Sequence, residues 1–303
     1  MRKNFRTHAV GAVLALALVA TACGSGDGAV DGDPIKVASF GFNESVIVAE
    51  IFAQGLEANG YQVERKLNLG SREVVKPALE SGEIDLVPEY IGSLAGFLEV
   101  EQSADSQATW ENAQAAFEEL GVTLLQYSPA QDKNAYVVTA ETAAEFGLAT
   151  VSDLQPVAGD LVFGGPPECP ERDLCLKGLI DVYGLEFAEF KSLDAAGPIT
   201  IAALEGGEID VALLFSTQGI IAEKGWVSLE DDQGLNPAEN LVPAIRTEVV
   251  DAYGDDLVAL LESFSEALTT EDLTEMNRRA DLDQEDPALL AEEWLISFGF
   301  IEE

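Results

Sequence analysis

Histidine is almost absent from this 303-residue chain, and its absence excludes several kinds of chemistry. The only histidine is His8, which lies in an N-terminal stretch typical of a targeting segment. An imidazole is the usual base that activates a serine or cysteine nucleophile, and it is the commonest metal ligand. The body of the chain therefore has no Ser/His or Cys/His pair and no imidazole metal site. We expect no catalytic residue, no metal and no cofactor.

Basic residues are also scarce. The chain has 16 lysines and arginines against 55 acidic residues, a formal net charge of −39 at pH 7. Such a surface repels nucleic acid and has nothing to offer an anionic lipid, so we expect no nucleic-acid partner. The excess of acids would suit work in high salt, where charges are screened, but a role in solubility alone explains it as well.

Cysteine occurs three times, as Cys23, Cys169 and Cys175. Outside the cell membrane, the close spacing of Cys169 and Cys175 predicts a disulfide that closes a short loop. Two free thiols or a soft-metal pair are the alternatives, although neither a histidine nor a further cysteine lies nearby to complete a metal site.

The N-terminus has the features of a targeting segment. Residues 9–20 form an apolar run that is too short for a stable membrane span. Three basic residues precede it: Arg2, Lys3 and Arg6. The run ends in Val19-Ala20-Thr21-Ala22-Cys23, which resembles a bacterial lipobox. That resemblance implies cleavage before Cys23 and lipidation of its thiol, whereas an ordinary secretory peptide with an incidental cysteine is the alternative.

These features predict where the protein resides. Residues 1–22 are expected to be a lipoprotein signal peptide, and residues 23–34, rich in glycine and aspartate, a flexible tether that begins at the lipidated Cys23. The protein would then be lipid-anchored in the cell membrane, on its extracytoplasmic side. Without the three basic residues of 1–22, thirteen basic residues face 55 acidic ones, a net charge of −42.

A stretch of nine residues occurs twice. The segment from Ala78 to Leu86 (ALESGEIDL) returns 125 positions later as the segment from Ala203 to Val211 (ALEGGEIDV). Each copy reads as a helix end, a glycine cap and a buried strand, and a strand-like segment precedes each helix. Chance recurrence of ordinary helix-to-strand chemistry is the alternative to a duplicated strand–helix–strand unit.

The repeat predicts a site as well as a fold. Adding the same offset to Tyr90 gives Phe215, so two aromatic rings stand at equivalent strand ends. Ligands of open α/β sheets bind beyond the carboxyl ends of the strands. Two such units facing each other would form a cleft with Tyr90 on one wall and Phe215 on the other.

Strands alternate with helices along the roughly 270 residues of the body, which favours an α/β fold with mostly parallel sheets. We expect two lobes. Lobe 1 would comprise residues 35–130 and 242–303, and lobe 2 residues 131–241. The chain would cross between them twice, forming a hinge.

Several motifs resemble one family. They are Phe42-Asn43-Glu44, Leu69-Gly70-Ser71, Pro88-Glu89-Tyr90-Ile91-Gly92-Ser93, Asp132–Tyr136, Phe215-Ser216-Thr217 and Leu229-Glu230-Asp231-Asp232. Together with the lipoprotein signal, they look like the osmoprotectant-binding subunits of ABC importers, which bind glycine betaine, choline or carnitine. The resemblance implies a two-lobed type II periplasmic-binding-protein fold with a ligand cleft between the lobes. It also implies a monomer that closes on a small-molecule solute and delivers it to the permease subunits in the membrane.

The resemblance also implies a ligand site. A quaternary ammonium donates no hydrogen bond, so proteins hold it against aromatic faces. The positions of Tyr90, Tyr136 and Phe215 would belong to that aromatic cage. A ligand carboxylate would be held by Arg172 and by hydroxyl groups, those of Ser93, Ser216 and Thr217. A structural role is the alternative for each: strand packing for the aromatic rings, and pairing with Glu168 or Asp173 for Arg172.

The chain departs from the family pattern in three places. Phe215 stands where a tyrosine is usual, and residues 236–240 lack the aromatic ring expected there. An early lysine is missing, with Phe40-Gly41 around its place. A cage with fewer rings binds a quaternary ammonium less tightly unless Phe42 or Phe40 compensates. A binding protein for another small polar solute, and a non-transport sensor or adhesion lipoprotein, are therefore the alternatives. A secreted hydrolase would need a pair of facing carboxylates, but among 55 acidic residues the sequence does not distinguish any particular pair.

Overall fold

The computed structural model describes Val30 and residues 32–302. The predicted signal peptide, Cys23 and most of the predicted tether lie outside the described residues. Over the part that is described, no helix is long and apolar enough to cross a membrane.

Two five-stranded sheets organise the chain. The first contains β1 (Ile35–Ala38), β2 (Val63–Lys66), β3 (Leu86–Tyr90), β4 (Val122–Leu124) and β10 (Leu241–Arg246). The second contains β5 (Asn134–Val138), β6 (Val162–Gly165), β7 (Glu189–Ser192), β8 (Val211–Phe215) and β9 (Val227–Ser228). Their orders are β2-β1-β3-β10-β4 and β7-β6-β8-β5-β9. We call the body built on the first sheet lobe 1 and the body built on the second lobe 2.

Both sheets contain parallel and antiparallel strands, and the change of direction occurs at the fourth strand in the order of each sheet. Three parallel strands lie side by side in each, β2-β1-β3 and β7-β6-β8. The fourth strand, β10 or β5, runs antiparallel to both of its neighbours. These are the two strands that the chain enters on passing from one lobe to the other. The expectation of mostly parallel sheets missed them, because a strand that arrives from the other lobe has no crossover helix to return it in the parallel direction.

The two copies of the repeat have the same local structure. Gly82 and Gly207 occupy equivalent positions after their helices, with φ of 76° and 68°, a conformation that side chains with a Cβ rarely adopt. Asp85 accepts a hydrogen bond from the backbone N–H of Lys36, and Asp210 accepts one from that of Val162, at 2.9 and 2.8 Å. Each aspartate thus secures the neighbouring parallel strand, β1 or β6, in the same way.

Helices cover both faces of each sheet. In lobe 1 they are α1 (Asn43–Ala58), α2 (Arg72–Ser81), α3 (Ile91–Phe97), α4 (Ser106–Glu118), α9 (Thr247–Tyr253), α10 (Asp255–Ala267), α11 (Thr270–Leu282) and α12 (Pro287–Ser297). In lobe 2 they are α5 (Ala140–Phe146), α6 (Leu176–Tyr183), α7 (Pro198–Glu205) and α8 (Ile220–Glu223). Short 3₁₀ turns occupy Val151–Leu154, Ala158–Asp160 and Cys169–Glu171.

Strand residues alternate between two apolar layers. In β3, Leu86 and Tyr90 face the core beneath α1, α10, α11 and α12, while Val87 faces α2, α3 and α4. In β8, Val211 and Leu213 face one core, and Ala212 and Leu214 face the other. Each sheet therefore buries both faces, which requires nearly continuous apolar strands.

Candidate functional site

A cavity of about 700 Å³ lies between the lobes. Lobe 1 contributes the segments that follow β1, β2 and β3, and lobe 2 contributes those that follow β6 and β7 together with the end of β8. The site therefore lies beyond the carboxyl ends of the parallel strands of both sheets, where the repeat predicted a cleft.

Aromatic rings from both lobes line one wall of the cavity. Phe42 lies between the two rings at the equivalent strand ends, with centroid distances of 6.2 Å to Tyr90 and 5.1 Å to Phe215. Phe40 stacks on Phe42, with a centroid distance of 6.0 Å. The repeat brings Tyr90 and Phe215 to one cavity, and Phe42 supplies the ring that joins them.

A buried carboxyl group holds the phenol of Tyr90. The hydroxyl group donates to Oε1 of Glu44 at 2.6 Å, and Oε2 accepts from the hydroxyl of Thr217 at 2.6 Å and from the amide of Asn277. Burial raises the pKa of Glu44, and burial together with the charge of Glu44 raises the pKa of Tyr90 well above its usual range. The phenol therefore stays protonated and its ring is fixed.

Asp132 brings a second carboxyl group to this cluster. It lines the cavity but is only 7% exposed, and its Oδ1 accepts from the hydroxyl of Ser216 and the backbone N–H of Thr217, both at 3.1 Å. Burial and the charge of Glu44 raise the pKa of Asp132 well above its usual range. Thr217 of lobe 2 thus contacts both carboxyl groups, Glu44 of lobe 1 and Asp132 of the crossing segment.

Arg172 spans the cleft from lobe 2. It lies in the loop closed by the Cys169–Cys175 disulfide, whose Cα atoms are 5.2 Å apart. Its guanidinium donates to Glu73 of α2 at 2.7 Å and lies over the ring of Phe97, 5.2 Å from the centroid. Neither Glu168 nor Asp173, the partners considered from the sequence, forms this ion pair.

Every basic side chain that lines the cavity is already paired with an acid. Arg72 binds Glu89 in a buried pair at 2.8 Å. The exposed Lys177 pairs with Asp173. Arg172 forms an ion pair with Glu73, so none of the described basic side chains that line the cavity is left unpaired for a ligand carboxylate.

Glu239 occupies the stretch where an aromatic ring was expected. It is 2% exposed, and its carboxylate accepts from the backbone N–H groups of Gly92 and Ser93 and from the hydroxyl of Ser93 at 2.6 Å. A Cβ at Gly92 would lie 2.6 Å from the carbonyl oxygen of Ala238, so this approach requires glycine. Burial raises the pKa of Glu239 to about 7.

The structure brings only some of the predicted site residues to the cavity. Tyr90, Ser93, Arg172 and Phe215 line it. Tyr136 does not: it is 1% exposed in the core of lobe 2, where its hydroxyl donates to the carbonyl of Leu174. Ser216 and Thr217 lie behind the lining and hold Asp132 and Glu44, and the hydroxyl of Ser93 is engaged by Glu239.

Sequence reasoning did not select the residues that connect the lobes. Glu44 and Asp132 both belonged to family motifs, but neither was chosen as a site residue. Asn277 carried no signal at all. One sequence feature did suggest that acids replace aromatic surface near the site: residues 236–240 lack the expected aromatic ring and contain the charged Glu239 instead.

The arrangement is suited to binding. Among the described residues, no group of three or more histidine, cysteine or acidic side chains is placed to hold a metal ion. Aromatic faces on one wall, with carboxyl groups behind them, attract a cation whose surface is apolar.

Comparison with known proteins gives the family. The chain matches the profile described as the substrate binding domain of ABC-type glycine betaine transport system over residues 33–297. It is 27% identical to the glycine betaine-binding protein YehZ of Escherichia coli over 283 residues, covering 88% of this chain and 91% of YehZ. It is 27% identical to the carnitine transport binding protein OpuCC of Listeria monocytogenes over 308 residues, covering 100% and 99%.

Solved structures agree with the sequence comparison. A crystal structure titled as a glycine betaine/carnitine/choline ABC transporter aligns with a TM-score of 0.68 at 25% identity, covering 88% of this chain and 99% of that one. The predicted two-lobed α/β fold and the predicted family are both confirmed. The chain belongs to the extracytoplasmic substrate-binding proteins of ABC-type glycine betaine transport systems.

Proposed function

We propose that this protein captures a small solute with a quaternary-ammonium group, a betaine or choline type of molecule, and delivers it to ABC permease subunits. The observation that carries the proposal is the aromatic wall of Phe42, Tyr90 and Phe215, which draws on both lobes and faces one cavity. A trimethylammonium group would lie against these rings through cation–π attraction and apolar contact. Binding then joins the lobes, and no reaction follows.

The remaining assignments belong to the same proposal. The protein would act as a monomer, anchored through lipidated Cys23 after removal of residues 1–22. Sheet membership supports a lobe boundary near 130/131, and it shifts the predicted boundary at 241/242 by one residue, because β10 begins at Leu241. Tyr136 would support the site from the core of lobe 2, and Ser216 and Thr217 would act through the carboxyl groups that they hold.

Isothermal titration with glycine betaine, choline, carnitine and ectoine tests the function. We expect Tyr90→Ala to weaken binding by tenfold or more, because one cation–π face is worth roughly 1–2 kcal/mol and its apolar contact is lost as well. Tyr90→Phe keeps the ring and should remain within a few-fold of the wild type.

Tyr127→Ala is the matched control, because Tyr127 is a half-buried tyrosine that packs on Trp110 outside the cavity. Equal losses in Tyr90→Ala and Tyr127→Ala would contradict the assigned site. Absence of binding to all four solutes would overturn the ligand class.

A further inference from the structure

Glu44 and Asp132 form a pair of buried carboxyl groups with no basic partner. They are 3% and 7% exposed, and within the described residues no lysine or arginine forms an ion pair with either. Thr217 donates to both, through its hydroxyl to Oε2 of Glu44 at 2.6 Å and through its backbone N–H to Oδ1 of Asp132 at 3.1 Å, so a single residue brings the two carboxyl groups together. Two neighbouring buried carboxyl groups without a cation disfavour double ionisation, which places a proton on one of them.

The donors around the pair indicate which group holds that proton. Three donors converge on Glu44: the hydroxyls of Tyr90 and Thr217 and the amide of Asn277. They satisfy a carboxylate. Asp132 receives its two donors on Oδ1 alone. Its Oδ2 is therefore the atom that carries the proton.

The other charged and titratable groups nearby do not neutralise the pair. Tyr90 approaches from β3 as a neutral phenol. Two farther acids lie on lobe 1 and lobe 2: Asp281 on α11, which accepts from Asn43 and Gln218, and Asp194 before α7. Two farther basic residues are Arg72 on α2, which is bound by Glu89, and Lys133, which is next to Asp132 in the chain. Arg72 is thus already paired, and the remaining neighbours with charge at the cavity are mainly acids.

We propose that Asp132 is the counter-ion for the positive group of the solute and that it releases the proton shared with Glu44 to the solvent when the solute binds. This inference rests on the proposed function. Asp132 lines the same cavity as the rings of Phe42, Tyr90 and Phe215, so a cation against those rings is close to its carboxyl group. On binding, the O–H bond of Asp132 breaks, the proton passes to water or buffer, and the cation takes its place beside two carboxylates.

The direction of the pH effect follows from this exchange. A bound cation favours the carboxylate form, so affinity rises with pH while the free protein still holds the proton, and it levels off once that proton is lost. Release of one proton gives up to about a tenfold gain in affinity per pH unit.

The experiment is titration calorimetry of the full chain with choline chloride and with glycine betaine, from pH 5 to pH 9. Each titration is repeated in two buffers of different ionisation enthalpy, which gives the number of protons released for each ligand bound. We expect release of up to one proton and an affinity that rises with pH over part of this range.

Asp132→Asn imitates the protonated side chain, since its oxygen still accepts from Ser216 and Thr217 and its amide is neutral. We expect it to fold, to bind without proton release, and to show a flat pH profile. Glu168→Gln is the control, because Glu168 lines the cavity without a carboxyl partner, and it should keep the wild-type slope. Circular dichroism and the unfolding temperature verify that each variant folds.

The outcomes separate the two claims. Binding of choline or glycine betaine without proton release and without pH dependence would overturn the role of Asp132 and leave the proposed function intact. The same holds if Asp132→Asn keeps the slope of the wild type. If neither compound binds at any pH, the proposed function itself fails.

Discussion

Tyr90 has two roles that depend on different parts of its side chain. Its ring belongs to the aromatic wall, while its hydroxyl donates to the buried Glu44. The repeat places the ring at the end of β3, but only a contact between residues 46 positions apart fixes its orientation. The ring that pairs with it through Phe42 is Phe215, which has no hydroxyl and needs no such partner.

Glu239 lies in the stretch where an aromatic ring was expected, and it contributes hydrogen bonds to the backbone in place of an aromatic surface. It secures the start of α3 through Gly92 and Ser93, and so fixes the segment that follows Tyr90. Protonation of Glu239 affects the free energy of unfolding in a defined direction. Burial raises its pKa from the ordinary 4.5 to about 7, so the folded protein binds more protons than the unfolded chain between those values. Stability from this group is therefore present at low pH and is lost as pH rises to 7.

We predict that Glu239→Gln flattens this part of the pH profile. Between pH 5 and pH 8 the wild type should lose more unfolding free energy than the variant, with an upper limit of roughly 3 kcal/mol for a shift of this size. Urea denaturation of both proteins at the two pH values measures the difference. Asp160→Asn, at an exposed turn, serves as the control, and parallel profiles for wild type and Glu239→Gln would contradict the assignment.

At the scale of elements, the loop after β6 joins the lobes. The disulfide between Cys169 and Cys175 closes it, and Arg172 reaches from it to Glu73 and Phe97 of lobe 1. Both sulfurs are buried in the core of lobe 2, so the loop is attached to that lobe and extends its arginine across the cleft.

We predict that Cys169→Ser/Cys175→Ser loosens this loop more than the rest of the protein. Loss of so short a crosslink costs about 2 kcal/mol on the chain-entropy account. Hydrogen exchange followed by mass spectrometry should show faster exchange over residues 166–176, with little change in β3 and β8. Glu73→Gln, which removes only the cross-cleft pair, separates the effect of the arginine contact. A uniform rise in exchange through lobe 2 would contradict a local role.

The strands, the repeat and the cleft could be predicted because they depend on short segments. Gly82 and Asp85 act within a few residues of where the pattern shows them, and their copies Gly207 and Asp210 act alike. The carboxyl cluster could not be predicted, because Thr217 meets Glu44 across 173 residues and across two lobes.

Tyr136 is a second residue whose position could not be predicted from a short segment. Its motif pointed to the cavity, but the period-two alternation of β5 turns its ring into the core beside Phe163. Which face of β5 is buried depends on its antiparallel pairing with β8, a strand that lies far along the chain.

At the scale of the molecule, the contacts between the described parts of the two lobes include three sets that surround one cavity. Thr217 and Asn277 meet at Glu44, Arg172 meets Glu73, and Phe215 meets Phe42. Each set pairs a residue of lobe 2 with residues of lobe 1. A solute held at the aromatic wall therefore touches the same surfaces that hold the lobes together, which links binding to closure.

A crystal structure with the tightest-binding quaternary-ammonium solute tests this account most directly. The account predicts that the ammonium nitrogen lies within about 6 Å of the ring centroids of Phe42, Tyr90 and Phe215, with Asp132 on the same side of the cavity. A second cavity of about 360 Å³ shares Phe42 and Phe215 with the first but lacks Tyr90 and Asp132. Solute bound in the second cavity, or at any place away from Tyr90, would contradict the account.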